Sequence, residues 1–235
     1  MSARPAPIAS TRHTLILLTA FGIFTVVAAL QVQHGGASPT PGPPASHVAL
    51  YLGAIAFEWF LFYGTLRGLK QAGTSVETLL GDRLRSKAAW GRALLLGAIA
   101  WPLILLVAMG MKWVLAHFGL DVDADNTRTV AHLGPHGLLE KVLWVLVSIS
   151  AGICEEFVFR GYLMRQFAAW FGGWVPGLLL SAIVFGLGHA YQGIGPVLTI
   201  MVHGISFGLV ALLSKSLVPG MFAHALEDVV AGLSG

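Results

Sequence analysis

The sequence predicts an all-α membrane protein, a polytopic bundle of about seven transmembrane helices. Of its 235 residues, 56% are hydrophobic and only 11% are charged. Soluble domains carry roughly 25% charged residues, so this chain lacks the polar side chains to cover a water-facing surface. Its hydrophobic residues also form long runs, several close to the roughly 20 residues that cross a bilayer. These observations predict an integral membrane protein and exclude a function as a soluble domain.

The hydrophobic runs define the predicted spans. They lie near residues 14–32, 47–66, 92–116, 140–160, 174–190, 196–214 and 217–234. Pro102 lies in the third span and is expected to kink it, whereas residues 161–173 are expected to extend the fourth helix to the interface. We divide the predicted fold into N-terminal helices and loops, residues 1–139, and a helical core, residues 140–235, that carries the polar motifs.

Basic residues predict how the chain is oriented. Segment 67–92 contains six Lys and Arg residues against two acidic residues, and Arg4 and Arg12 precede the first span. By the positive-inside rule, these regions and the N-terminus are cytoplasmic. Loops 35–46 and 119–138 then lie outside. Frequent Ala, Gly and Leu favour a bacterial source, and hence the bacterial inner membrane.

Composition also limits the partners and cofactors. The net charge of +3 is spread along the chain and forms no basic stripe, which argues against nucleic acid as a partner. A single cysteine, Cys154, excludes an internal disulfide and a Cys-rich zinc site, and it is expected to be a small buried apolar residue. Residues 121–126, DVDADN, lack the glycine of a calcium-binding loop and are interpreted as a solvated loop.

Ionisable residues within apolar helices usually mark function, because their burial in a membrane costs free energy. Glu156 and Arg160 are four residues apart, which predicts a structural ion pair on one helix face. Glu155 is rotated from Glu156 by about 100° and has no local partner. Other ionisable residues within the predicted spans include Glu58, His189, His203, His224, Glu227 and Asp228.

Three of these residues fit a hydrolytic site if they face one another. The Glu155 carboxylate could take a proton from water, and His189 and His224 could bind water or stabilise an oxyanion. The same three side chains could instead hold a divalent metal such as zinc with an open water position. Straight helices would put His189 nearer the outer end than Glu155 and His224. We interpret His203 and Glu58 as structural residues.

Three short motifs occur in order on these apolar segments. They are EExxxR from Glu155 to Arg160, FxxxH from Phe185 to His189, and HxxxD from His224 to Asp228. Together they resemble the motifs of the CPBP family, the CAAX-protease and bacteriocin-processing intramembrane proteases, also called the Abi family. The resemblance covers roughly residues 140–232.

The resemblance implies a role for each motif residue. Glu155 would be the general base that activates water, and His189 would hold that water or bind a metal. His224, with Asp228, would orient the substrate carbonyl or stabilise the oxyanion, and Glu156 and Arg160 would support the site. The family's third motif ends in Asn, whereas this chain has Asp228, and an ionised carboxylate cannot donate a hydrogen bond.

The predicted function is therefore an intramembrane endopeptidase that cuts near the C-terminus of a membrane-associated protein or peptide. By resemblance, the substrate would be a prenyl-CAAX-like protein or a C-terminal sorting signal, and the chemistry would depend either on the glutamate alone or on a metal. Two alternatives belong to other classes. One is a catalytically silent membrane scaffold or bacteriocin-immunity protein, and the other is a proton-coupled carrier, which the lack of an internal repeat disfavours.

Overall fold

A computed structural model describes residues 5–35, 46–81, 86–120 and 134–234, with the backbone alone for residues 31–35. This part of the chain contains eight helices and no strand. The helices are α1 (Thr11–Gly35), α2 (Val48–Gln71), α3 (Val76–Leu80), α4 (Lys87–His117), α5 (Gly137–Phe171), α6 (Trp174–Leu187), α7 (Ile194–Ser214) and α8 (Val218–Leu233). Residues 121–126, which we interpreted as a solvated loop, lie outside the described residues.

Five helices are long and apolar enough to cross a membrane, namely α1, α2, α4, α5 and α7. The all-α membrane bundle is therefore confirmed. Each predicted span corresponds to a helix, but α6 has 14 residues and α8 has 16. At 1.5 Å per residue, α6 is about 21 Å long, which is shorter than the roughly 30 Å hydrocarbon core. Pro102 lies inside α4, which continues to His117.

At one end of the bundle, side-chain hydrogen bonds link segments that are far apart in the sequence. The Gln166 side chain accepts hydrogen bonds from the backbone N–H groups of Ile8 and Ala9 and donates one to the Ala9 carbonyl. Thr74 donates to the Ile8 carbonyl, and the Ser216 hydroxyl donates to the carbonyl of Leu80. These bonds satisfy backbone groups that helix ends and connections leave unpaired.

At the other end, a single carboxylate accepts hydrogen bonds from the N-termini of two helices. Glu140, in the first turn of α5, accepts hydrogen bonds from the backbone N–H of His47 at 2.8 Å and of His136 at 2.7 Å. His47 and His136 are the residues that precede α2 and α5. The negative charge of Glu140 therefore lies at two helix N-termini, where it is favourable.

The middle of α5 is the buried centre of the molecule. Residues Glu156–Leu163 form a π-helical segment, and all eight residues are buried. A π segment widens the helix and shifts the side chains that follow it, and such segments are frequent at functional sites. Ser181 of α6 donates a 2.7 Å hydrogen bond to the Phe159 carbonyl within this segment. The predicted extension of the fourth helix is present, since α5 continues to Phe171.

The chain breaks between α6 and α7 inside the bundle. Gly188 follows α6, and a Cβ atom there would lie 2.4 Å from the ring of Phe21, in the middle of α1. A short 3₁₀ turn, Ala190–Gln192, then leads to α7. His189 therefore lies in a non-α-helical connection that packs against α1. We had expected it near the outer end of a straight helix.

Helices α5 and α8 approach closely at Gly152. A Cβ atom at this position would lie 2.6 Å from the Met221 carbonyl oxygen and 2.8 Å from the Ala225 Cβ. Glycine is required here because backbone of α8 occupies the space that a side chain would need. This close approach places the next turn of α5 directly beside α8.

We expect Gly152→Ala to lower the free energy of unfolding by about 1–3 kcal/mol, because the added methyl group must push α8 away. Gly110→Ala on α4 is the matched control, since nothing lies within 4 Å of its Cβ position. Unfolding by denaturing detergent in mixed micelles would measure both. Equal stability of the two variants would contradict the close packing of α5 on α8.

Candidate active site

A buried ion pair forms the base of the candidate site. Arg160 Nη1 lies 3.0 Å from Glu156 Oε1, and both side chains are at most 2% exposed. The Arg160 guanidinium also lies 4.2 Å from the ring centroid of Phe185 and 5.4 Å from that of Phe207. Aromatic faces attract such a cation. The ion pair expected from the spacing within EExxxR is therefore present, and it is enclosed by side chains of α6 and α7.

Glu156 has a second partner that its sequence position did not reveal. Its Oε1 atom lies 3.0 Å from Nδ1 of His224 on α8. With its charge matched by Arg160, Glu156 acts as a hydrogen-bond acceptor, so the proton of this bond belongs to Nδ1. A carboxylate that holds one imidazole nitrogen fixes the orientation of the other. Glu156 thus determines the direction in which Nε2 of His224 points.

The free nitrogen of His224 lies between two carboxylates. Nε2 is 3.7 Å from Oε2 of Glu155 and 3.6 Å from Oδ2 of Asp228. Glu155 is 22% exposed and Asp228 is 36% exposed, whereas Glu156 is 1% exposed. The two carboxylates on the Nε2 side can therefore meet water or a ligand, and the Glu156 side cannot.

His189 joins the cluster through Phe185. Its Nδ1 lies 3.1 Å from the Phe185 carbonyl oxygen, and the ring of Phe185 contacts those of His189 and His224 at centroid distances of 5.2 and 6.1 Å. Among the described residues, no hydrogen bond or ion pair links His189 to Glu155 or to His224. The structure thus brings Glu155 and His224 together directly and places His189 one aromatic ring away.

Two further acidic residues lie near the site, although the sequence analysis assigned neither of them to it. Glu227 Oε1 is 2.8 Å from Nε2 of His203, which we interpreted as a structural residue. Glu58 of α2 lies within electrostatic range of Glu155. Glu227 follows His224 by three residues, so the two lie on the same face of α8. That shared face was the only feature of the sequence that could have placed Glu227 near the site. No sequence pattern relates α2 to α5.

The described side chains that could bind a metal are not arranged as a metal site. Within the described part of the chain, no group of three or more His, Cys, Asp or Glu side chains has an arrangement that could hold a metal ion. His224 has Nδ1 engaged by Glu156, and His189 is separated from it by Phe185. The side chains proposed as ligands therefore do not fit a metal centre in this arrangement.

The candidate site is thus a carboxylate–histidine cluster within a bundle of apolar helices. Residues 137–230 match the family model for type II CAAX prenyl endopeptidases, described as Rce1-like. This match includes all three motifs and confirms the resemblance to the CPBP family. The chain matches no curated protein and no solved structure.

We expect Arg160→Ala to destabilise the fold by about 3–5 kcal/mol, because Glu156 would become a buried charge without its cationic partner. Arg67→Ala is the control, since Arg67 is an exposed cation on α2. Detergent-induced unfolding followed by tryptophan fluorescence and circular dichroism would measure the loss. An Arg160→Ala protein as stable as the control would show that the ion pair does not hold the core.

Proposed function

We propose that this protein is an intramembrane endopeptidase that hydrolyses a peptide bond near the C-terminus of a membrane-associated protein or peptide. The main support is the contact between the accessible Glu155 carboxylate and His224, whose opposite nitrogen is held by the buried Glu156–Arg160 pair. A base beside an oriented imidazole is the arrangement that activates water for attack on a carbonyl group.

In the proposed reaction, Glu155 takes a proton from water as the water oxygen bonds to the carbonyl carbon. The carbonyl oxygen becomes an oxyanion, and the C–N bond then breaks. Glu155 returns its proton to the leaving amine, so the carboxylate is regenerated. Its partial exposure suits this role, because the base must reach both the water and the substrate.

His224 is proposed to stabilise the oxyanion. In the imidazolium form, His224 donates its Nδ1 proton in a hydrogen bond to Glu156 and presents Nε2–H towards the space beside Glu155. A fixed donor needs no reorganisation when charge develops on the substrate, and such preorganisation accelerates the reaction. The ring is further held by stacking on Phe207 at a centroid distance of 4.9 Å and an angle of 17°.

Asp228 is proposed to act on His224 and not on the oxyanion. An ionised carboxylate has no proton to donate, and Asp228 lies 3.6 Å from His224 Nε2. It can therefore balance an imidazolium charge and restrict the ring. His189 donates its Nδ1 proton to the Phe185 carbonyl, which leaves Nε2 as an acceptor for the attacking water.

The substrate class is proposed from the family description. A type II CAAX prenyl endopeptidase model suggests a substrate anchored to the membrane close to its cleaved C-terminus, and a C-terminal sorting signal has the same general form. A silent scaffold or immunity protein with the same fold is the alternative. It requires no chemistry at Glu155, so replacing that residue distinguishes the two functions.

We expect Glu155→Gln to abolish cleavage while the protein stays folded, because the amide cannot accept the proton from water. His224→Ala should lower kcat by about a hundredfold or more, as loss of an oxyanion donor does elsewhere. Purified protein in lipid nanodiscs would be assayed on membrane-anchored C-terminal peptides, both farnesylated CAAX peptides and sorting signals, with and without a chelator.

The control for this assay is Glu77→Gln, because Glu77 is an exposed carboxylate at the start of α3. It should cleave as the wild type does. Glu155→Gln protein that still cleaves, or that supports the cellular role equally well, would favour the silent scaffold. Loss of cleavage upon chelation would favour a metal-dependent protease.

The protein is proposed to reside in the bacterial inner membrane with a cytoplasmic N-terminus. The contacts of Ile8 with Gln166 and of Ser216 with Leu80 bring Gln166 and Ser216 beside the N-terminus and the basic segment 67–92, which the positive-inside rule assigns to the cytoplasm. The contact of His47 with Glu140 joins the segments assigned to the outer side.

This orientation predicts different labelling of two introduced cysteines. In spheroplasts, a membrane-impermeant maleimide should label Ser46→Cys, while Gln71→Cys should need permeabilisation; both residues are exposed. The native Cys154 is buried, so unmodified protein serves as the background control. The opposite labelling pattern would reverse the proposed orientation.

A further inference from the structure

A second carboxylate–imidazole contact lies beside the candidate site, between α7 and α8. His203 Nε2 is 2.8 Å from Glu227 Oε1, and the two side chains are only 15% and 18% exposed. The other ring nitrogen, Nδ1, lies 2.9 Å from the Thr199 carbonyl oxygen. The proposed reaction uses neither side chain, although burying such a pair costs desolvation free energy.

The hydrogen bonds determine where the protons lie. A carbonyl oxygen only accepts, so the Nδ1 nitrogen of His203 donates its proton to Thr199. A second proton must then occupy the Nε2–Oε1 contact, because a bare nitrogen and a bare carboxylate would repel each other at 2.8 Å. It belongs either to an imidazolium paired with a carboxylate or to a protonated Glu227. In both forms the pair is neutral and held by one shared proton.

The pair is connected to the candidate site by packing and by chain position. The ring of Phe207 contacts His203 at a centroid distance of 6.4 Å and stacks on His224 at 4.9 Å. Phe207 is 1% exposed, so it has little freedom to move. Glu227 lies one helical turn after His224 and directly before Asp228. A bond from Glu227 to α7 therefore restrains the part of α8 that carries both site residues.

We propose that His203 and Glu227 form a positioning pair that fixes the rotation of α8, so that His224 and Asp228 face Glu155 for the reaction proposed above. Site residues must be held closely, since a displacement of about 1 Å can lower a rate by about a hundredfold. Glycine-mediated contact at Gly152 brings α8 close to α5, but it does not prevent rotation. The His203–Glu227 bond supplies a further restraint from another neighbouring helix, α7.

The experiment compares His203→Ala, Glu227→Ala, the double variant and Glu227→Gln in the nanodisc cleavage assay. Glutamine can donate an N–H to the unprotonated Nε2 of His203, so Glu227→Gln keeps the bond but removes the shared proton. We expect either alanine variant to lower kcat by about tenfold to a hundredfold with KM unchanged. The kcat of the double variant should be no lower than that of either single variant. The kcat of Glu227→Gln should stay within about threefold of the wild-type value.

His47→Ala is the matched control, because His47 is also an imidazole beside a buried carboxylate, with Nδ1 3.5 Å from Glu140 Oε2. Glu140 precedes Glu155 by fifteen positions on α5, about 22 Å along the helix axis. His47→Ala should leave kcat and KM unchanged. Thermal unfolding would verify that every variant is folded at the assay temperature.

The outcomes separate this inference from the proposed function. Loss of kcat in the alanine variants with rescue by Glu227→Gln would support the positioning pair. Wild-type kcat in His203→Ala, while Glu155→Gln is inactive, would overturn the pair and leave the protease standing. If Glu227→Gln were as impaired as Glu227→Ala, the hydrogen bond would not suffice and positioning would be refuted. Cleavage by Glu155→Gln would remove the proposed function and this inference together.

Discussion

The buried ion pair between Arg160 and Glu156 is the interaction on which the rest of this bundle depends. A guanidinium and a carboxylate removed from water are stable only if other groups compensate for their lost hydration. Phe185 from α6, Phe207 from α7 and His224 from α8 all contact this pair. One charged contact on α5 therefore dictates what three other helices must contribute, and it makes their relative positions interdependent.

The same interaction explains why the candidate site has a buried side and an accessible side. Glu156 contacts both Arg160 and His224 through Oε1 and is only 1% exposed, so it is poorly suited to exchange a proton with a substrate. Glu155, the adjacent residue, projects from a different direction on the helix and is partly exposed. Two neighbouring glutamates of one motif thus have different roles because the helical twist separates their surroundings.

Sequence periodicity predicted contacts between residues of the same helix, but it did not predict contacts between different helices. The spacing of Glu156 and Arg160 was enough to predict their ion pair, and hydrophobic runs were enough to predict the bundle. The contact between His203 and Glu227 was missed because no helical period relates residues of α7 to those of α8. The position of His189 was also misjudged, since α6 ends early and the chain breaks against Phe21. The π segment from Glu156 to Leu163 likewise departs from the 3.6-residue period used for prediction.

The three histidines near the site share one constraint on their chemistry. Each has Nδ1 engaged: His189 with the Phe185 carbonyl, His203 with the Thr199 carbonyl and His224 with Glu156. All three acceptors lack a proton to give, so each Nδ1 is a donor and only Nε2 can change its protonation or bind another group. For His203 and His224, Nε2 faces carboxylates. Any reaction at this site must therefore pass through the Nε2 side, which is also the side where Glu155 and Asp228 are accessible.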